Sequence, residues 1–222
     1  MARITIAGGH GQIGLLLGQL LAERGDQPAG IIRKEEQADD LRDRGIQPIM
    51  LDLEDATVDR YAAAINGSDA VVFAAGAGPN SGAERKETVD YGAAVKLREA
   101  AEAAGVDRYV MLSAMGTDDP PQDDDVFSVY LRAKARADRD LVASDLAWTI
   151  VRPGRLTDDE PAGHVEAARH VERGEVPRAD VAAVLAAVLA DDATAGRVFE
   201  LVSGDQPVAE AVAALDEATA SL

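Results

Sequence analysis

The chain has 222 residues, 47% of them hydrophobic, no cysteine and a formal net charge of −18. The excess of acid argues against nucleic acid as a partner, because such binding rests on Lys and Arg neutralising phosphates. The lack of thiols excludes disulfides, thiolate metal sites and a cysteine nucleophile.

No apolar run reaches the roughly 20 residues that cross a bilayer. The N-terminus enters a strand pattern without signal-peptide architecture, so a cytoplasmic protein with no membrane partner is expected. Only four lysines are present, Lys34, Lys86, Lys96 and Lys134. An acidic, lysine-poor surface fits salt adaptation and genome composition equally well.

In chain order, Arg3–Ala7 reads as a strand that meets the glycine-rich stretch IAGGHGQIG. Apolar residues at helical spacing follow over Ile13–Glu23. Pro28–Ile32 is a second strand, Glu35–Arg44 a charged helix and Ile46–Leu51 a third strand. A short helix over Val58–Ile65 precedes Ala70–Ala75, a strand apolar on both faces as a buried parallel strand should be. A long helix spans Ala83–Ala104. Arg108–Ser113 is a fifth strand, Val126–Ala143 a helix and Ala147–Val151 a sixth strand.

This alternation specifies an α/β fold, a doubly wound parallel sheet with helices on both faces. The expected order is 3-2-1-4-5-6, with ligand at the carboxyl ends of the strands. The chain reads as one domain, residues 1–151 being the nucleotide-binding core and 152–222 a small substrate-side region. In that region RPGRLTDDEPAG reads as a loop and HVEAARHV as a strand. RADVAAVLAAVLA reads as a helix, GRVFELV as a strand and PVAEAVAALDEATA as a closing helix.

The glycine stretch fits two overlapping patterns: G-x-G-x-x-G on Gly9, Gly11 and Gly14, and G-x-x-G-x-x-G on Gly8, Gly11 and Gly14. Either places loop amides at a helix N-terminus, where they bind a pyrophosphate. Arg33 and Lys34 follow the second strand directly. A guanidinium there suits a ribose 2′-phosphate, so NADP(H) is expected over NAD(H), with Arg33 the main grip.

Tyr130 and Lys134 are four apart in YLRAK and share a helix face. The strand before that helix ends at Ser113. A neighbouring ammonium can bring a phenol's pKa toward neutrality, and a serine hydroxyl can hold the same substrate oxygen. Ser113, Tyr130 and Lys134 are therefore the candidate catalytic residues. His10, His164 and His170 have no standard ligand spacing, and no metal is expected. Arg85, Lys86 and Asp90 head the long helix and could point at the site, but a solvated helix start is the role expected of them.

DDPPQDDD, Asp118–Asp125, lies on the ligand side and is expected to form a mobile acidic rim. Such a rim would repel anions, pointing to a neutral carbonyl or quinone-like small molecule.

These motifs together resemble the short-chain dehydrogenase/reductase superfamily, in particular its atypical NAD(P)H-binding group related to epimerases and quinone or flavin reductases. The carrying stretches are TIAGGHGQIG, LDLED, VVFAAGAG, YVMLSAMG, YLRAK, WTIVRPGRLTD and RADVAAVLAAVL. The resemblance favours the G-x-x-G-x-x-G reading. It implies that Gly8, His10, Gly11, Gln12, Ile13 and Gly14 form the phosphate loop, and that Asp52 and Leu53 meet the adenine. It puts Ala74, Ala75 and Gly76 beside the adenine ribose and Pro153 and Gly154 by the nicotinamide, and it makes Lys134 a ribose ligand as well.

The implied activity is an NADP(H)-dependent oxidoreductase acting on a small carbonyl, quinone or flavin-like molecule, as monomer or homodimer. A sugar-nucleotide-type epimerase or dehydratase and a non-catalytic NADP(H) sensor are the alternatives.

Overall fold

The computed structural model describes residues 1–78 and 81–215. Its frame is a nine-stranded sheet. Strands β1 (Arg3–Ala7), β2 (Gln27–Ile32), β3 (Gln47–Met50), β4 (Ala70–Phe73), β5 (Arg108–Leu112) and β6 (Ala147–Pro153) run parallel in the expected order β3-β2-β1-β4-β5-β6. β10 (Arg197–Ser203) adds in parallel beside β6. β8 (His164–Ala168) and β11 (Gln206–Pro207) then extend that edge antiparallel.

The central strand β4 is apolar at every position and buried on both faces. Val71 and Phe73 of β4 face one core, and Ala70 and Val72 the other. The first core is covered by α3 (Val58–Ile65) and α5 (Ala94–Ala104), through Tyr61, Ile65 and Leu97. The second is covered by α1 (Gln12–Glu23) and α7 (Arg178–Ala190), through Leu17, Leu21, Val184 and Leu185. Spacing of four residues puts Tyr61 with Ile65, and Leu17 with Leu21, on one stripe of their helices. Among the described residues no helix is long and apolar enough to cross a membrane.

Several expectations need correction. The charged helix is a 3₁₀ turn, Glu35–Gln37, followed by α2 (Ala38–Arg42). The long helix is not uniform: α4 (Ala83–Arg85) leads into a π-helical stretch, Lys86–Ala93, before α5. RPGRLTDDEPAG is not all loop, since β6 continues to Pro153 and β7 (Arg155–Thr157) pairs with β9 (Glu175–Pro177). That pairing joins residues about 20 apart, which no local pattern encodes. The closing helix is α8 (Val208–Ala213), and the expected residues beyond 215 lie outside the described part.

Candidate functional site

The glycine loop closes on itself at the carboxyl ends of β1 and β4. Gly8 has φ +88°, and a Cβ there would stand 2.7 Å from the Ala75 backbone. A Cβ on Gly14 would overlap the Gly8 carbonyl oxygen. Only glycine allows this approach. Gly11 caps α1 without a side-chain cap, and no acidic residue sits in the first turn. The amides of Gln12, Ile13 and Gly14 are therefore among the helix donors left without intrahelical partners.

Beside this loop, toward the ends of β2 and β3, is a cleft of about 250 Å³. Gly8, His10, Gly11, Asp52, Leu53 and Arg33 all line it. The Arg33 guanidinium makes no ion pair among the described residues, which leaves its fork available to an anion. Lys34 is instead paired with Glu36 at 3.0 Å and does not line the cleft. His10 is turned sideways rather than left to solvent: Nε2 lies 2.7 Å from Asp40 Oδ2, and Nδ1 3.1 Å from Gln37 Nε2. It ties the loop to the start of α2.

Glu54, which lies within LDLED but is not among the expected contacts, also lines this cleft. Arg85 donates to it at 2.6 Å and Thr88 at 2.7 Å. The Arg85 bond holds its carboxyl below the ordinary range, against the cost of burial.

Ala74, Ala75 and Gly76 line this cleft and also a second, apolar cavity of about 630 Å³. Gln12, Ile13, Ser113, Tyr130, Lys134 and Pro153 line the second one. Gly154 does not; its amide donates to the Leu201 carbonyl at 2.8 Å, which joins the strand end to β10. The candidate catalytic residues thus converge. Ser113 directly follows the end of β5, and α6 (Val126–Val142) presents Tyr130 and Lys134 one turn apart.

Their detailed geometry departs from the simple expectation. Lys134 is buried; its Nζ donates to the Leu112 carbonyl at 2.9 Å and lies 4.0 Å from Asp90 Oδ1. Burial pushes its pKa down, opposed by Asp90 and Asp138. Tyr130 is pushed above the ordinary phenol range, first by burial and then by the same two carboxylates. In the polypeptide by itself, the lysine is not the charge that governs the tyrosine. Asp138 is completely buried. Burial raises its pKa, while Arg152, with Nη2 at 3.0 Å, and the Ser113 hydroxyl favour the ionised form.

The predicted solvated helix start is overturned at two of its three residues. Lys86 and Asp90 are buried and line the cavity, whereas Arg85 is partly exposed on Glu54. A π-helical stretch turns side chains through a different angle from an α-helix and is frequent at functional sites. α6 packs on this stretch: Tyr91 donates to Asp140 at 2.8 Å, and the Arg136 guanidinium lies 3.8 Å from the Tyr91 ring centroid.

The acidic rim is anchored rather than free. Asp118 binds Arg152 at 2.5 Å and Arg169 at 3.1 Å, and Asp125 caps α6 by accepting from the Phe127 amide at 2.8 Å. Asp125, Val126 and Phe127 do form part of the cavity wall.

An uncapped helix N-terminus, a glycine cradle that a Cβ would fill and, among the described residues, a guanidinium without an ion pair at the end of β2 together fit a dinucleotide. The comparisons agree. A model of the NAD(P)H-binding family matches residues 8–192. YhfK of Bacillus subtilis, an uncharacterized sugar epimerase, is 37% identical over 211 residues, covering 95% of this chain and 98% of its own. A candidate NAD-dependent epimerase/dehydratase from Bacillus halodurans superposes with a TM-score of 0.90 at 36% identity, over 96% of this chain and 99% of its own. The oxidoreductase YlbE of Lactococcus lactis superposes at 0.84 with 28% identity, over 95% of each chain. The chain belongs to the NAD(P)H-binding family, and the solved structures it resembles are epimerase- and reductase-like proteins.

Proposed function

We propose that the protein is an NADP(H)-dependent oxidoreductase that moves hydride to or from a small carbonyl, quinone or flavin-like substrate. The observation that supports this best is that Ser113, Tyr130 and Lys134 share the wall of one apolar cavity with the glycine loop. The pyrophosphate would lie on the amides of Gln12, Ile13 and Gly14, the adenosine beside Asp52 and Leu53, and the 2′-phosphate on Arg33. The nicotinamide, when bound, supplies or receives the hydride. Tyr130 exchanges the proton at the substrate oxygen. Lys134 holds the ribose and supplies positive charge beside the phenol. Leu112, Phe127 and Leu156 keep water from the reacting centre.

The raised pKa of Tyr130 favours a second reading, a non-catalytic NADP(H) sensor. The names of the Bacillus relatives favour an epimerase or dehydratase, which would regenerate its cofactor and leave no net NADPH oxidation. One experiment separates the three. NADPH and NADH are titrated, and NADPH oxidation is followed with a panel of quinones, flavins and small carbonyls for the wild type and Tyr130→Phe. Turnover that Tyr130→Phe loses while still binding NADPH is expected. Tight NADPH binding with no turnover of any acceptor overturns the oxidoreductase reading.

A further inference from the structure

Lys86 is a buried lysine in the reaction cavity that forms no direct ion pair among the described residues. It opens the π-helical stretch, is 5% exposed and lines the cavity. Its Nζ donates to the Gly78 carbonyl at 2.7 Å and lies 5.4 Å from the Tyr130 ring centroid. An ammonium has three donors, so two remain for whatever enters.

Among the described residues Lys86 forms no ion pair, whereas the other charges nearby are matched. Lys134 faces Asp90 at 4.0 Å, Arg152 faces Asp138 at 3.0 Å, and Arg178 faces Asp158 at 2.8 Å. Asp125 sits at the exposed mouth, spent on the α6 cap. In the buried part of the cavity the ammoniums of Lys86 and Lys134 share the carboxylate of Asp90, while Asp125 and Arg178 line its more exposed side. A buried charge is costly unless it is paired. The surrounding wall is apolar, with Leu112, Val126, Phe127 and Leu156. The acidic rim does not outweigh this, because Asp118 is already held by Arg152 and Arg169.

We propose that Lys86 anchors the substrate by a carboxylate, so that the preferred substrate is an apolar acid whose anionic end lies on Lys86 beside Tyr130. This rests on reading the cavity as the substrate site. It replaces the neutral substrate that the acidic rim suggests. The selectivity comes from a charge-assisted hydrogen bond in a water-poor cavity, which an ester cannot reproduce.

The test is calorimetric titration with naphthoate and biphenylcarboxylate, each against its methyl ester, with and without NADP⁺. The proteins are the wild type, Lys86→Met and Lys86→Arg, with thermal melts to verify folding. The wild type is expected to bind at least one acid about tenfold tighter than its ester. Lys86→Met should bring acid and ester together while leaving ester and NADP⁺ affinity in place, and Lys86→Arg should retain the preference. A wild type that binds neither acid, or does not prefer acid to ester, overturns the proposal; so does a Lys86→Met that keeps the preference. Absent NADPH turnover, with the acid preference intact, would count against the oxidoreductase reading and not against Lys86. Turnover of acceptors with no acid preference would do the reverse.

Discussion

The Ser113 hydroxyl donates to the buried carboxylate of Asp138 at 2.9 Å. With its proton committed there, Ser113 can face a substrate only as an acceptor, which leaves donation to a substrate oxygen to Tyr130. Asp138 Oδ2 also accepts from Arg152 Nε at 3.0 Å and from the Thr117 hydroxyl at 3.3 Å. Arg152 in turn holds Asp118. The strand-end serine is thereby tied through two buried charges to the first residue of the acidic rim.

Removing Asp138 takes one of two carboxylate partners from the Arg152 guanidinium, which is 1% exposed, and leaves it Asp118. Asp138→Ala is expected to lose about 3–5 kcal/mol, as for other buried pairs broken on one side. Ser113→Ala deletes one hydrogen bond and should lose only about 1 kcal/mol. Urea denaturation of both variants measures this. Equal losses would mean that Arg152 does not depend on Asp138.

Rim anchoring carries a pH signature. Burial alone would raise the Asp118 pKa, but Arg152 and Arg169 outweigh it and hold it below 3.8. A depressed carboxylate stabilises the fold above its unfolded pKa and loses that contribution as pH falls through its folded pKa. The stability advantage of wild type over Asp118→Asn should therefore be level above about pH 5 and shrink below 3.8. Denaturation of the two proteins across this range measures it. An advantage that grows on acidification contradicts the assigned partners.

Arg33 is the one sequence-derived cofactor contact that should discriminate. Arg33→Asp is expected to weaken NADPH binding about tenfold or more and NADH binding little, since only NADPH offers a phosphate to the fork. Fluorescence titration with both nucleotides decides it. Equal shifts for the two would remove Arg33 from the 2′-phosphate site.

Gly14→Ala tests the loop's close approach. The added Cβ would overlap the Gly8 carbonyl oxygen. The loop must open, and a stability loss of about 1–3 kcal/mol is expected, with dinucleotide affinity falling as well. Ala substituted at Gly82, where nothing stands within 4 Å, is the control that should do neither. Unchanged nucleotide affinity in Gly14→Ala would argue against the loop as the pyrophosphate cradle.

Much of this molecule is written locally. Six parallel strands in the order β3-β2-β1-β4-β5-β6 follow from alternating strand and helix patterns, because apolar runs and helical stripes are set by neighbouring residues. The glycine loop, Arg33 and the Ser113, Tyr130, Lys134 set were legible for the same reason: each rests on short spacing beside a strand end. What tertiary structure decided depends on residues far apart in sequence. Burial of Lys86 and Asp90 comes from a π-helical stretch packed on α6, and Lys34 turns away to Glu36 while Arg33 stays on the cleft. The pairing of Ser113 with Asp138, and of Arg152 with Asp118, joins groups 25 and 34 residues apart. Spacing along a chain fixes which residues can share a helix face; only packing fixes which charges are left without an ion pair, and among the described residues that line the two cavities these include Lys86 and Arg33.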